Sequence, residues 1–145
     1  MPRKKRFEFL EHTADVYIVA YGGTLEEAFE NAALAIIEIM TDANKVNHKM
    51  QEDVEVEASD EYALLYNWIE EILVLFDTEG YLFSRFKISN IDETEGGFRL
   101  RAKLWGETFN PERHPQKVGV KAVTYHQMEI VKKPGDVTAK FIVDI

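Results

Sequence analysis

Residues 7–21, FEFLEHTADVYIVAY, read as two apolar strand pieces separated by a polar knot, His12-Thr13-Ala14-Asp15. Val16, Ile18 and Ala20 fall on one side of an extended chain, and Tyr17, Val19 and Tyr21 on the other, the period of two that marks a strand. A polar break inside such a run has two readings. Either the strand bulges at an edge, or His12 and Asp15 converge on a ligand. Deciding between them needs a second group, elsewhere in the chain, that can meet Asp15.

The next segments alternate helix and strand. Gly22-Gly23 ends the first run, and Thr24 is placed to cap a helix, with Glu27 completing a capping box. Leu25, Phe29, Ala32, Ile36 and Met40 then repeat at helical spacing. Residues 41–49 read as a polar loop. Asp53 to Ala58 alternates, with Val54, Val56 and Ala58 on one face and acids on the other, as in a strand with one wet face. Ser59 or Asp60 caps a second helix, whose stripe of Leu64, Leu65, Trp68, Ile72 and Phe76 is broad enough to predict the central buried helix. Gly80 is its stop.

Strands follow. Tyr81 to Ser89 and Phe98 to Trp105 flank a turn over residues 92–97, Asp-Glu-Thr-Glu-Gly-Gly. Residues 106–116, with Pro111 and Pro115, read as a loop. Residues 118–131 predict one long strand, Pro134-Gly135 a turn, and residues 136–145 the closing strand. The expected fold class is α+β: a single domain over residues 1–145, a mostly antiparallel sheet with two helices packed on it, in the order β-α-β-α-β-β-β-β. Residues 1–6 are expected to form a flexible basic tip.

Composition narrows the function. The 145 residues are 46% apolar and 30% charged, the profile of a globular protein. There is no cysteine, which excludes disulfides, zinc thiolates and a thiol nucleophile. No run is long and apolar enough for a membrane helix, and no secretory signal is recognisable, so the cytoplasm is the expected location. Net charge is −9, from 17 basic and 26 acidic residues. Setting aside Arg3, Lys4, Lys5 and Arg6 leaves 13 basic against 26 acidic, or −13. A body that acidic is expected to repel phosphates and to meet RNA only through a partner.

Two places carry possible chemistry. The apolar last strand ends Val143-Asp144-Ile145. If it lies beside the first strand, Asp15, Asp144 and the carboxylate of Ile145 bring oxygen donors to one point. Close like charges then call for a hard divalent cation. The plainer alternative, a hydrated aspartate at a strand end and a turn-capping Asp15, is the commoner case on pattern alone. The second place is Lys121, which alternates with Val123 and Tyr125. It either neutralises carboxylates or a phosphate, or snorkels at a sheet edge. His12 either orients Asp15 through a hydrogen bond or is structural. The four histidines show no zinc spacing, and no nucleotide-binding or hydrolase motif is present.

In order and spacing, HTAD at residues 12–15, GGTLEEAFENAA, RHPQKVGVKAVTYH and the closing VDI resemble the archease family over residues 7–145. That resemblance implies a protein cofactor rather than an enzyme. The implied partner is the RtcB-type tRNA-splicing RNA ligase, whose guanylylation and multiple turnover such proteins promote. The alternative it implies is a chaperone of a tRNA cytosine-5 methyltransferase; such a chaperone is expected to bind through an exposed apolar surface, for instance around Trp105, Phe109 and Tyr125. The family's metal site maps onto Asp15, Asp144 and Ile145, with calcium first and magnesium or manganese as alternatives. Its functional lysine maps onto Lys121.

Overall fold

Both apolar pieces of residues 7–21 are strands. In the computed structural model, which describes residues 5–10 and 15–145, β1 runs Phe7–Leu10 and β2 Asp15–Gly22. His12, Thr13 and Ala14 lie outside the described residues. Then come α1 (Leu25–Met40), a 3-10 turn (Ala43–Lys45), β3 (Met50–Ala58), α2 (Glu61–Glu79), β4 (Tyr81–Thr94), β5 (Gly97–Thr108), β6 (Ala122–Val123), β7 (Glu129–Lys133) and β8 (Asp136–Asp144). The class is α+β with two helices, and every strand pairing is antiparallel, as expected. The strands divide between two sheets. One has the order β1-β2-β8-β6, with β7 also on β8; the other is β3-β5-β4.

The helix ends follow from their residues. Thr24 Oγ1 accepts the Glu27 N–H at 3.1 Å, and Glu27 reaches back to the Gly23 N–H at 2.7 Å. Asp60 caps α2 by accepting the Ala63 N–H at 2.7 Å. Gly80 ends it with φ +72°, a left-handed conformation that suits glycine. The last turn of α1 carries no basic side chain. Its exposed carbonyls are met from a distant segment instead: the Lys117 N–H donates to Met40 O at 3.0 Å and the Val118 N–H to Ile39 O at 3.2 Å.

The central helix is α1, not α2. Nine residues of α1 are buried against six of α2. The reason is position: α1 packs on β2 and β8 of one sheet and on β4 of the other. Its alanines, Ala28, Ala32, Ala33 and Ala35, are all fully buried and allow this close approach on two sides. By contrast α2 leaves Tyr62 and Val74 exposed. The two helices are joined through fully buried Trp68, whose Nε1–H donates to Phe29 O at 2.9 Å. Burial of each large side chain such as Phe29, Phe83 or Phe141 is worth roughly 1.5–3 kcal/mol.

Residues 118–131 are not one strand. Only β6 and β7 form there, separated by a turn in which Gln127 takes φ +53°. Both strands pair with the same edge of β8: β7 with residues 136–140 and β6 with residues 143–144. The chain must leave that edge and return to it. Val120 and Val123 are nevertheless both buried, at 8% and 4% exposure. The β4–β5 hairpin is tighter than expected. Thr94 pairs with Gly97, so the turn shrinks to Glu95-Gly96 and both strands lengthen. The outer edge of β4 is covered by α1, where Glu30 accepts the Ile88 N–H at 2.8 Å.

Gly106 is where β5 crosses closest to β4. A Cβ there would stand 1.8 Å from Leu82 O, a main-chain atom that cannot step aside. Gly119 has open space and no such conflict. Gly106→Ala is expected to lower stability by about 3 kcal/mol or more in urea unfolding, as overpacking against backbone does. Gly119→Ala is expected to stay within about 0.5 kcal/mol of the parent.

Candidate functional site

Five of the nine residues of β8 are buried: Ala139, Phe141 and Val143 have no exposed surface, Ile142 has 1% and Val137 5%. That burial holds the strand in register. On one side it pairs with β2 from Gly22↔Val137 to Asp15↔Asp144. Directly opposite residues on antiparallel strands have β-carbons roughly 4.5–5.5 Å apart and side chains on one face. Acidic residues from the two ends of the sequence are therefore neighbours, as the reading of the first and last strands expects.

On its other side, β8 meets the segment that carries Lys121. Ala122 pairs with Asp144. The Lys121 N–H donates to Asp144 O at 2.8 Å. Thr124 donates to Ile142 O twice, from its N–H at 3.1 Å and from Oγ1 at 2.8 Å. Asp144 thus has Asp15 on one flank and Lys121-Ala122 on the other. Asp144 and Lys121 are exposed, Asp15 is half-buried, and Ile145 is half-buried against the core. These donors are oxygens, which suits a hard cation and not zinc. Among the described residues no three His, Asp or Glu side chains gather as a metal site.

Of the described histidines, His126 is exposed in the Lys121 segment, where its N–H donates to Thr124 Oγ1 at 3.2 Å, and the other two lie elsewhere. His48 is 2.9 Å from Ser84 Oγ, and that hydroxyl donates to Val46 O at 2.8 Å. His114 is wholly buried. Its Nδ1 accepts the Asn110 N–H at 2.8 Å, so Nε2 carries the proton and donates to Glu107 Oε2 at 2.9 Å.

Glu107, 4% exposed, is the centre of a polar knot that pattern reading misses. It also accepts the Asn47 N–H at 2.7 Å and Arg113 Nη1 at 2.9 Å. Burial raises its pKa, but the hydrogen bonds from Asn47, His114 and Arg113 outweigh this and bring it from 4.5 down to about 2. The knot ties β5 to the loop that leads through Lys117 to Lys121. A buried glutamate has no periodic signature. The only hint is that the alternation of Phe98 to Trp105 can be continued through Thr108.

Comparison with known proteins places these features in a family. The model described as the archease protein family (MTH1598/TM1083) matches residues 7–145. The protein archease of Sulfolobus acidocaldarius is 49% identical over 140 residues, covering 97% of this chain and 99% of that one. The protein archease of Pyrococcus abyssi is 48% identical over 142 residues, with the same coverage. The solution structure of Methanobacterium thermoautotrophicum protein 1598 superposes with a TM-score of 0.82 at 41% identity, over 97% of this chain and 99% of that one. A Thermotoga maritima crystal structure, titled an archease and possible chaperone, has a TM-score of 0.58 at 18% identity, covers 100% of this chain and 98% of that one, and shares the fold.

The Glu107 knot makes a pH prediction. Its folded pKa lies below the unfolded value, so the ionised carboxylate stabilises the fold. That contribution is complete above about pH 4.5 and is lost as pH falls towards 2. In Glu107→Gln, the fall in stability across this window is expected to shrink by about 3 kcal/mol, measured as urea midpoints at several pH values.

Proposed function

This chain belongs to the archease family, and from that membership we propose that it is a non-enzymatic protein cofactor. In this reading it activates an RtcB-type tRNA-splicing RNA ligase, promoting guanylylation of the ligase and multiple turnover in exon joining. The observation that carries it is the in-register pairing of Asp15 with Asp144, closed on the far side by the Lys121 N–H on the Asp144 carbonyl.

Asp15, Asp144 and Ile145 are the residues to hold a divalent cation, calcium first, with magnesium or manganese as alternatives. When bound, such a cation would offset the charge of the carboxylates and would act as a Lewis acid toward a nucleotide phosphate. Lys121, exposed beside them, contacts the nucleotide or a carboxylate of the ligase. The acidic body suits a basic docking surface, since complementary charge speeds encounter.

Two features support a cofactor over an enzyme. His114, hydrogen-bonded to a carboxylate, is sealed from solvent. Ser84 directs its hydroxyl proton at Val46 O, so His48 donates to it and does not act as its base. The chaperone reading finds less support. Arg85 covers Trp105 at 4.5 Å, Phe109 packs on Phe76 and His114, and Tyr125 stacks on Tyr66. Of the three, only Tyr125 is broadly exposed, at 53%.

Multiple-turnover RNA ligation by a cognate ligase tests this reading. Asp15→Ala, Asp144→Ala and Lys121→Ala are each expected to lose at least tenfold in activation while folding normally. Calcium at 100 times its dissociation constant is expected to stabilise the parent by about 2.7 kcal/mol, and Asp144→Asn much less. Full activation by all three alanine variants would sink the reading, and loss in Tyr125→Ala alone would favour the chaperone.

A further inference from the structure

The three-stranded sheet turns one face to the core and the other to solvent. Phe86, Ile88, Leu100, Ala102 and Leu104 point inward and are buried. The residues between them point outward, and on β4 and β5 these are cationic. Arg85, Lys87, Arg101 and Lys103 are exposed, and Arg99 is half-exposed. In a chain of net charge −9, five of 17 basic residues share one sheet face. That local sign reversal runs against the acidity of the whole.

The charges on this face are not all compensated. Arg99 pairs with Glu55 at 3.1 Å and Glu57 at 2.9 Å, and Arg101 with Glu55 at 3.4 Å, all from β3. Lys103 lies opposite Asp53 in register, but Asp53 is engaged by the Gln51 amide at 3.0 Å. On its other side Lys103 is directly opposite Lys87. Among the described residues no ion pair involves either lysine, although Lys87 acts at longer range on Glu30 beneath the strand edge. Like charges directly opposite on neighbouring strands destabilise a sheet. They become favourable when an anion sits between them.

Two residues further along, about 7 Å by strand geometry, the next opposed pair is Arg85 and Trp105. The guanidinium lies over the indole at 4.5 Å. Guanidinium and aromatic groups are both surfaces on which an unpaired base can stack. The face therefore offers a phosphate position between Lys87 and Lys103 and a stacking position at Arg85–Trp105, side by side. The acidic row on β3 borders it on one side.

We infer that the outward face of β4 and β5 is a binding platform for single-stranded RNA, with Lys87 and Lys103 on the backbone and Arg85–Trp105 under a base. An acidic polypeptide would use the lysines alone and has no use for the stacked pair. The platform is distinct from the Asp15–Asp144 site, and its test does not depend on ligase activation. The expected affinity is weak, with a dissociation constant on the order of 10⁻⁶ to 10⁻⁴ M, as for sequence-independent binding.

The full chain is titrated with a fluorescently labelled single-stranded oligouridylate, read by anisotropy, at several salt concentrations from about 50 mM upward. Trp105 fluorescence is followed in parallel, since the other tryptophan, Trp68, is fully buried. Lys87→Glu/Lys103→Glu is expected to weaken binding at least tenfold and to flatten the salt dependence by more than one unit of slope. Trp105→Ala is expected to weaken it several-fold, and Lys133→Glu, at the far end of β7, to leave it unchanged. Lys4→Gln/Lys5→Gln controls for the basic run. The inference is overturned if the parent does not bind, if loss follows Lys4 and Lys5 but not Lys87 and Lys103, or if polyglutamate of equal charge competes as well as RNA.

Discussion

The structure depends on β8. Five of its nine residues are buried, and main-chain groups held in such a strand need partners on both edges. One edge is satisfied by β2 along its full length. The other is shared between β7 and β6, which approach from the same side in succession. Since β2 is early in the chain and β8 is last, this one pairing brings opposite ends of the sequence together. It also places Asp15 against Asp144 as a by-product of a register set by apolar residues.

The Lys121 segment is held by a second set of constraints, most of them far from Lys121. Its upstream loop is anchored at Glu107 through His114 and Arg113. It then supplies the N–H groups that meet the last carbonyls of α1. Finally it joins β8 through Lys121 and Thr124. The segment has little regular structure of its own, yet its backbone hydrogen bonds have defined partners. A loop fixed in this way can present a side chain as reproducibly as a strand does. The cost is a buried carboxylate, which is tolerated because each of its oxygens has donors.

The two sheets divide the surface as well as the core. α1 lies between them, closing the free edge of β4 through Glu30 and packing on β2 and β8. The five-stranded sheet carries the paired Asp15 and Asp144, and the three-stranded sheet turns its cationic strip outward. Overall net charge describes neither face well. Electrostatic recognition is local, over about 8–10 Å at ordinary salt, so a −9 chain can still offer a cationic surface.

Local chemistry was legible in the sequence. Thr24, Asp60 and Gly80 set the helix limits, because capping acts within one turn of chain. Alternation set β2 and the centre of β3, and the motifs of residues 12–15, 113–126 and 143–145 identified the family. What needed the tertiary structure was everything that depends on which edges are already taken. Residues 118–131 alternate like a strand, yet most of them cannot pair, because one edge of β8 must serve two short strands in turn. The breadth of its apolar stripe made α2 look central, but α1 has the place between two sheets. Glu107 and the Lys87–Lys103 pair leave no periodic trace, since burial and cross-strand register join residues that are distant in sequence.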